Sequence, residues 1–131
     1  MMTLEMNGRV CELNFGIGFV RALDEKYYLE SGSGMRFGNG LESKAPMLLT
    51  GDALTLAEFI HMGTAKMGDK RPTLKEIDDF VDSAEDIKKV FSDVVDELKK
   101  SNACKIKMEN LEAELKKAEE NLQAKDRKQK K

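Results

Sequence analysis

The chain begins with alternating polar and apolar residues, a pattern that predicts a β-hairpin. Residues 3–6 and 9–15 both alternate, and Asn7-Gly8 lies between them. Asn-Gly between two alternating segments is the strongest short hairpin signal, because both residues of a type I′ turn adopt positive φ. One face of the second strand carries Cys11, Leu13 and Phe15. Either this face or the opposite one, which carries Val10, must pack on the core.

Apolar residues spaced three and four apart predict three short helices in the next fifty residues. These helices span about residues 19–29, 41–49 and 53–67. Pro46 in the second helix has no backbone N–H, so we expect a kink or a late start there. Asp52 is suited to cap the third helix. The predicted inward face of the third helix carries Leu54, Ala57, Ile60 and Thr64.

Glycine and serine surround a short apolar segment between the first two predicted helices. Ser31-Gly32-Ser33-Gly34 precedes this segment and Gly38-Asn39-Gly40 follows it. Such residues predict a flexible loop, here carrying Met35 and Phe37. Apolar side chains on a mobile loop suit contact with another protein, but burial in the protein's own core is an equally open interpretation.

Heptad spacing characterises the second half of the chain. Thr73 begins a Thr-x-x-Glu capping box, which is typical of a helix start. Apolar residues then recur at alternating steps of three and four over residues 77–98, and again over residues 104–122. We predict either one long helix ending near Ala124, or two helices separated near Ser101.

The apolar stripe over residues 104–122 is narrow and has charged flanks. An isolated helix of this kind is marginal in water, so its stripe needs a partner. That partner is the protein's own domain, a second copy of the chain or a different protein. The predicted partner-binding residues are Met35 and Phe37 on the loop, with Met108, Leu111, Leu115 and Leu122 on the stripe.

These elements together predict an α+β fold. An N-terminal β-hairpin packs on a mainly helical body, and a long C-terminal helical arm follows. We assign residues 1–100 to the body, 101–124 to the amphipathic arm and 125–131 to a frayed basic tail. On this division, a chain truncated after Lys100 is expected to fold but to bind its partner less well.

Charged side chains are unevenly distributed along the chain, and this bears on whether nucleic acid is an expected partner. The net charge is −2, yet residues 1–98 carry 11 basic and 18 acidic side chains, whereas residues 99–131 carry 11 basic and 6 acidic ones. An acidic body does not suit phosphate binding, which needs clustered Lys and Arg. The basic tail over residues 125–131 leaves nucleic-acid binding as a weak alternative, because no aromatic residue is interleaved for base stacking.

Residues typical of catalysis or metal binding are sparse. His61 is the only histidine, and no nucleophile or orienting acid accompanies it in the pattern. The acidic cluster over residues 78–86 lacks the central glycine and final glutamate of a calcium loop, and neither Cys11 nor Cys104 belongs to a CxxC pair. We therefore expect no enzymatic activity and no cofactor or metal. No segment has the apolar length of a signal peptide or a membrane span.

The N-terminal sequence LEMNGRVCELNFGIGFVR, residues 4–21, resembles the start of a known protein family. That family is the tail assembly chaperones of phages with long non-contractile tails that infect Gram-positive hosts. Residues 37–41, 47–52, 71–74 and 77–80 are similar to later parts of the family pattern. The resemblance covers about residues 3–100.

The resemblance implies a non-virion protein of the infected cell's cytoplasm that binds the tape-measure protein, keeps its long apolar helices soluble and helps recruit tail-tube subunits. In this group a longer form is often made by a ribosomal frameshift. Self-association through the arm is a further expectation. The alternatives are a structural tail or head-tail adaptor component of the virion, and a small nucleic-acid-binding regulator that uses the basic tail.

Overall fold

The computed structural model describes the backbone of residues 2–129 and the side chains of residues 2–125. The predicted α+β class is confirmed: an N-terminal hairpin packs on a mainly helical body, and a long C-terminal helix follows. In chain order the elements are β1 (Met2–Met6), β2 (Arg9–Leu13), α1 (Ile17–Lys26), β3 (Tyr28–Glu30), β4 (Arg36–Gly38), α2 (Gly40–Leu49), α3 (Ala53–Gly63), a 3-10 helix (Ala65–Lys70), α4 (Leu74–Ser83), α5 (Ile87–Lys100) and α6 (Lys105–Gln129).

The first hairpin forms as predicted. Asn7 and Gly8 have φ values of 52° and 73°, as a type I′ turn requires. β1 and β2 pair antiparallel from Met2 opposite Leu13 to Met6 opposite Arg9. Of the two faces left open by the sequence, the one with Cys11 and Leu13 is buried and Val10 is exposed.

A second hairpin replaces the predicted flexible loop. α1 ends at Lys26 rather than at Leu29, and β3 pairs antiparallel with β4 so that Leu29 lies opposite Phe37. Glycine allows β4 to lie directly against α1: a Cβ atom on Gly38 would overlap the side chain of Asp24. The loop prediction was wrong because each strand has only three residues, too few for the alternation to be recognised.

The structure of helices α2 and α3 differs from three further predictions. α2 begins at Gly40 and runs through Pro46, so the late start is not found. α3 is capped by Asp52, whose side chain accepts a hydrogen bond from the Thr55 N–H at 3.1 Å, but it ends at Gly63 instead of residue 67. Its inward face was wrongly assigned in part: Leu54 is 79% exposed and Ala57 is half-buried. The buried residues of α3 are Thr55, Leu56, Phe59, Ile60 and Gly63.

The C-terminal half contains three helices, not the one or two that the heptad spacing predicts. The capping box of Thr73 is present at the start of α4. Ala84 adopts an extended conformation that ends α4, a break that the sequence pattern did not indicate. The predicted break near Ser101 is confirmed, and the single-helix alternative is wrong. α6 continues to Gln129, past the predicted end at Ala124, and residues 130–131 of the predicted frayed tail lie outside the described residues.

The core lies between the first hairpin and the helices, and it extends into α6. Phe19 makes edge-to-face contacts with Phe15 and Phe59, with ring centroids 4.9 and 5.3 Å apart. Ser101 donates a hydrogen bond to the Phe15 carbonyl at 2.6 Å, which joins the turn before α6 to the segment between β2 and α1. Past residue 100, the same core receives the side chains of Cys104, Met108 and Leu111.

Candidate protein-binding surfaces

The first half of α6 is held against the body. Met108 is fully buried and Leu111 nearly so, and the helix packs on α2 and α5. Lys107 pairs with Glu42 at 2.8 Å, and Lys99 pairs with Glu112 at 3.0 Å. Each carboxylate raises the pKa of its lysine, mainly through the hydrogen bond. Two of the predicted contacts, Met108 and Leu111, are therefore covered by the protein itself in this structure.

The second half of α6 presents the remainder of the stripe. Because the predicted arm of residues 101–124 is covered in its first part, the name arm from here on means residues 113–129 of α6. Leu115 is half-buried, Ala118 is exposed and Leu122 is 63% exposed. Leu115 and Leu122 thus remain predicted partner contacts, and the accessible stripe is shorter than the sequence pattern indicates.

The second hairpin presents an apolar face formed by Leu29 and Phe37, which lie directly opposite each other. Phe37 is 51% exposed, and Leu29 and the turn residue Met35 are both 59% exposed. On the other face, the guanidinium of Arg36 lies 4.5 Å from the centroid of the Tyr28 ring. Burial of Met35 and Phe37 in the core, the alternative interpretation, is wrong. We call the exposed side chains of Leu29, Met35 and Phe37 the hairpin patch.

A groove between helices α1 to α4 was missed by the sequence analysis. It has a volume of about 780 Å³ and is lined by residues of all four helices. Its exposed apolar side chains are Met47, Leu54 and Leu74, and Asp78 stands at the α4 side. The sequence did carry one signal for this groove. α3 has apolar residues on several sides, so they cannot all face the core, and Leu54 lies on the surface. We call this feature the α3 groove.

Polar contacts hold the wall of the α3 groove in place. The Tyr27 hydroxyl donates to Glu58 at 2.8 Å, and Lys26 pairs with the same carboxylate, which raises the pKa of Lys26. The Lys44 ammonium lies 4.6 Å from the centroid of the Tyr27 ring, a cation–π arrangement. These contacts hold the polar wall of the groove, where the side chains of Tyr27, Lys26 and Glu58 are already paired.

His61 and Arg71 form a contact at the end of the same groove. Arg71 donates to the His61 carbonyl at 2.6 Å, and its guanidinium lies 3.3 Å from Nδ1 of the imidazole. Burial is the main cause that lowers the pKa of His61, and the charge of Arg71 lowers it further. This arrangement favours the neutral imidazole and holds the 3-10 segment against α3.

The described residues offer little for metal or redox chemistry. No group of three His, Cys, Asp or Glu side chains in this part of the chain is arranged to hold a metal ion. Cys11 and Cys104 are free thiols, both buried, and burial raises the pKa of each. No described helix combines the length and apolar character needed to cross a membrane. Three accessible surfaces of the described residues are candidates for binding another protein: the hairpin patch, the α3 groove and the arm.

Comparison with known proteins agrees with the resemblance seen at the N-terminus. A search of curated proteins and a search of solved structures gave no significant match. The family model described as "Phage tail assembly chaperone protein, TAC" matches residues 3–114. The match extends beyond the resemblance, which ended near residue 100, and includes the buried half of α6. The chain therefore belongs to the phage tail assembly chaperone family.

Proposed function

We propose that this chain binds the tape-measure protein, keeps it soluble before the tail is assembled, and helps recruit tail-tube subunits. The observation that carries the proposal is the hairpin patch. Leu29, Met35 and Phe37 are each more than half exposed, although they are large and apolar. Such a patch on a chaperone suits the apolar face of a partner's amphipathic helix.

The geometry of the patch favours binding of varied apolar sequences. Leu29 and Phe37 are cross-strand neighbours, so their side chains form one continuous surface. Met35 adds an unbranched, polarisable side chain, and methionine adapts readily to partners of different shape. A tape-measure protein is expected to present many similar helices, and an adaptable patch can bind several of them.

The same proposal places the chain in the cytoplasm of the infected host during tail assembly and outside the finished virion. Mass spectrometry of purified particles tests this placement. Abundant copies of this chain in complete virions would instead support a structural tail or adaptor protein.

Co-expression with the tape-measure protein tests the central proposal. In the variant Leu29→Ser with Phe37→Ser, loss of two anchors is expected to weaken binding by about 30-fold or more. The soluble fraction of the tape-measure protein should fall accordingly. Val10→Ser is the matched control, because Val10 is 63% exposed on the first hairpin, outside the patch.

Each variant must also melt within a few degrees of the parent chain, since the altered side chains are exposed. Equal recovery of soluble tape-measure protein with the parent, the double variant and the control would refute the hairpin patch as the binding surface. Adding tail-tube subunits to the isolated complex then tests recruitment: a three-component complex supports it, and exclusion of the tube protein contradicts it.

A further inference from the structure

We propose that Asp24 is a positioning residue for the hairpin patch. Through one hydrogen bond, and with two glycines that lie against α1, it holds the second hairpin so that Leu29 and Phe37 face a partner. Asp24 lies on α1 and is half-buried, outside the patch, so it acts on a partner only through the hairpin. The effect on partner binding rests on the proposed function, whereas the effect on the hairpin itself does not.

The hydrogen bond of Asp24 lies where the second hairpin ends and α2 begins. Oδ1 of Asp24 accepts from the Gly40 N–H at 3.0 Å. Gly40 is the first residue of α2, and the N-cap residue Asn39 makes no side-chain capping bond. The first N–H groups of a helix have no acceptor within the helix. Asp24 therefore supplies, from another helix, the acceptor that the local sequence does not provide.

Two glycines allow this part of the chain to lie directly on α1. A Cβ atom on Gly38 would overlap the side chain of Asp24, and a Cβ atom on Gly40 would overlap the side chain of Leu23. Leu23 is fully buried, and a close-packed core leaves it little room to move aside. Neither glycine has a positive φ. The close approach to α1, and not the backbone conformation, therefore requires glycine at these two positions.

The base of the hairpin is held from its other strand as well. The Asn39 N–H donates to the Tyr27 carbonyl at 3.0 Å, next to the pair formed by Tyr28 and Gly38. Tyr27 is itself held, because its hydroxyl donates to Glu58 of α3 at 2.8 Å. β3 therefore begins beside a fixed residue, and β4 ends beside the contact with Asp24.

Beyond its base the hairpin stands clear of α1. A cleft of about 480 Å³ separates α1 from the face of the hairpin that carries Tyr28 and Arg36. All six residues of β3 and β4 are exposed. In the described part of the chain, the hydrogen bonds of residues 28–37 stay within the hairpin. The contacts at the base therefore determine how the patch is oriented.

A patch that is already oriented binds more tightly than a mobile one. Binding costs the freedom of every segment that becomes ordered in the complex. A hairpin with two strands of three residues has little stability of its own in water. Contacts at the base reduce this cost before the partner arrives. Loss of the Asp24 contact should therefore weaken binding, although no side chain of the patch is altered.

Hydrogen exchange on the full-length protein without a partner tests the effect on the hairpin. Asp24→Ala removes the acceptor and should speed the exchange of amides in residues 28–38 by about tenfold or more. Gly38→Ala forces β4 away from α1 and should have the same effect. Asp24→Asn keeps an oxygen that can accept from the Gly40 N–H, so exchange should stay within about threefold of the parent chain.

The tape-measure affinity of the same variants tests the effect on binding. Asp24→Ala and Gly38→Ala should each weaken binding by about fivefold or more, and Asp24→Asn should retain it. Ile77→Val is the control for a general loss of stability, because it thins the core at α4. Well below its melting temperature, this control should keep both slow exchange in the hairpin and full affinity.

Three results would overturn the proposal. The first is unchanged hairpin exchange in both Asp24→Ala and Gly38→Ala. The second is equally fast exchange in Ile77→Val, which would make Asp24 an ordinary stabilising residue, or in Asp24→Asn, which would make its charge responsible instead of the hydrogen bond. The third is full tape-measure affinity in Asp24→Ala while the Leu29→Ser with Phe37→Ser variant loses binding.

The proposed function can fail separately. If the Leu29→Ser with Phe37→Ser variant binds the tape-measure protein as well as the parent chain does, the hairpin patch is not the binding surface. The exchange measurements contain no tape-measure protein, so they still decide whether Asp24 orders the hairpin.

Discussion

The two halves of the α6 stripe have the same spacing in the sequence and opposite environments in the structure. Met108 lies in the first half and is fully buried, whereas Leu122 in the second half is 63% exposed. The first half packs on α2 and α5, and the Lys99–Glu112 pair lies next to the last buried leucine of α6, Leu111. A heptad stripe therefore indicates that a helix has an apolar face to bury. The tertiary arrangement decides whether the same protein or another one buries it.

Truncation should show the difference between the two halves of the α6 stripe most clearly. Removal of residues 101–131 takes Cys104, Met108 and Leu111 out of the core. Loss of one large buried side chain costs about 2–5 kcal/mol, and a whole domain is stable by about 5–15 kcal/mol. We therefore expect this fragment to be unfolded at 37 °C by circular dichroism, which revises the expectation drawn from the sequence.

A fragment that ends at Ala113 keeps the buried half of α6 and is the matched control. It should melt within a few degrees of the full chain, because the residues it lacks contribute little to the core. If both fragments melt like the full chain, the first half of α6 is not part of the fold. If both are unfolded, the arm also supports the body.

Single substitutions should show the same difference on a smaller scale. Met108→Ala opens a cavity in the core and should lower the free energy of unfolding by about 2–5 kcal/mol. Leu122→Ala alters an exposed position and should change it by less than about 0.5 kcal/mol. Urea unfolding monitored by circular dichroism measures both. Equal effects of the two substitutions would contradict the division of the stripe.

Acidification should change the stability of the protein less than truncation or substitution does. It acts through His61 in the body. Its folded pKa lies below the ordinary value of 6.5, because burial and the charges of Arg71 and Lys26 disfavour the imidazolium. The unfolded chain then binds more protons below pH 6.5, so this contribution to stability is complete above pH 6.5 and is lost as the pH falls towards the folded pKa.

Thermal melts between pH 7.5 and 5.5 test this linkage. The melting temperature should fall over that interval in the parent chain, and His61→Gln should reduce the slope, because glutamine does not titrate. An equal slope in the two proteins would show that His61 is not the group responsible.

Local signals in the sequence predicted the elements that depend on neighbouring residues. Asn7-Gly8 determined the first hairpin, and the Thr73 capping box marked the start of α4, because each works through hydrogen bonds or φ values within a few residues. For the region near Ser101 the sequence left one helix and two helices both open, and the structure shows the break. The resemblance of residues 4–21 indicated the correct family.

Features set by tertiary packing could not be predicted in the same way. The heptad spacing continues across Ala84, where the chain is extended, so periodicity hid the break between α4 and α5. α3 has apolar residues on several sides, and only contacts with the core show that Leu56 points inward and Leu54 outward. The α3 groove consists of residues from four helices, and no single stretch of sequence describes it.

Hydrogen exchange along α6, followed by mass spectrometry on dilute monomeric protein, tests the division of this helix most directly. We predict that amides around residues 105–112 exchange only when the body unfolds, while those beyond residue 115 exchange at least a hundredfold faster. Equal protection along the whole helix, or equally rapid exchange throughout, would contradict the account that one half maintains the fold and the other half is available to bind another chain.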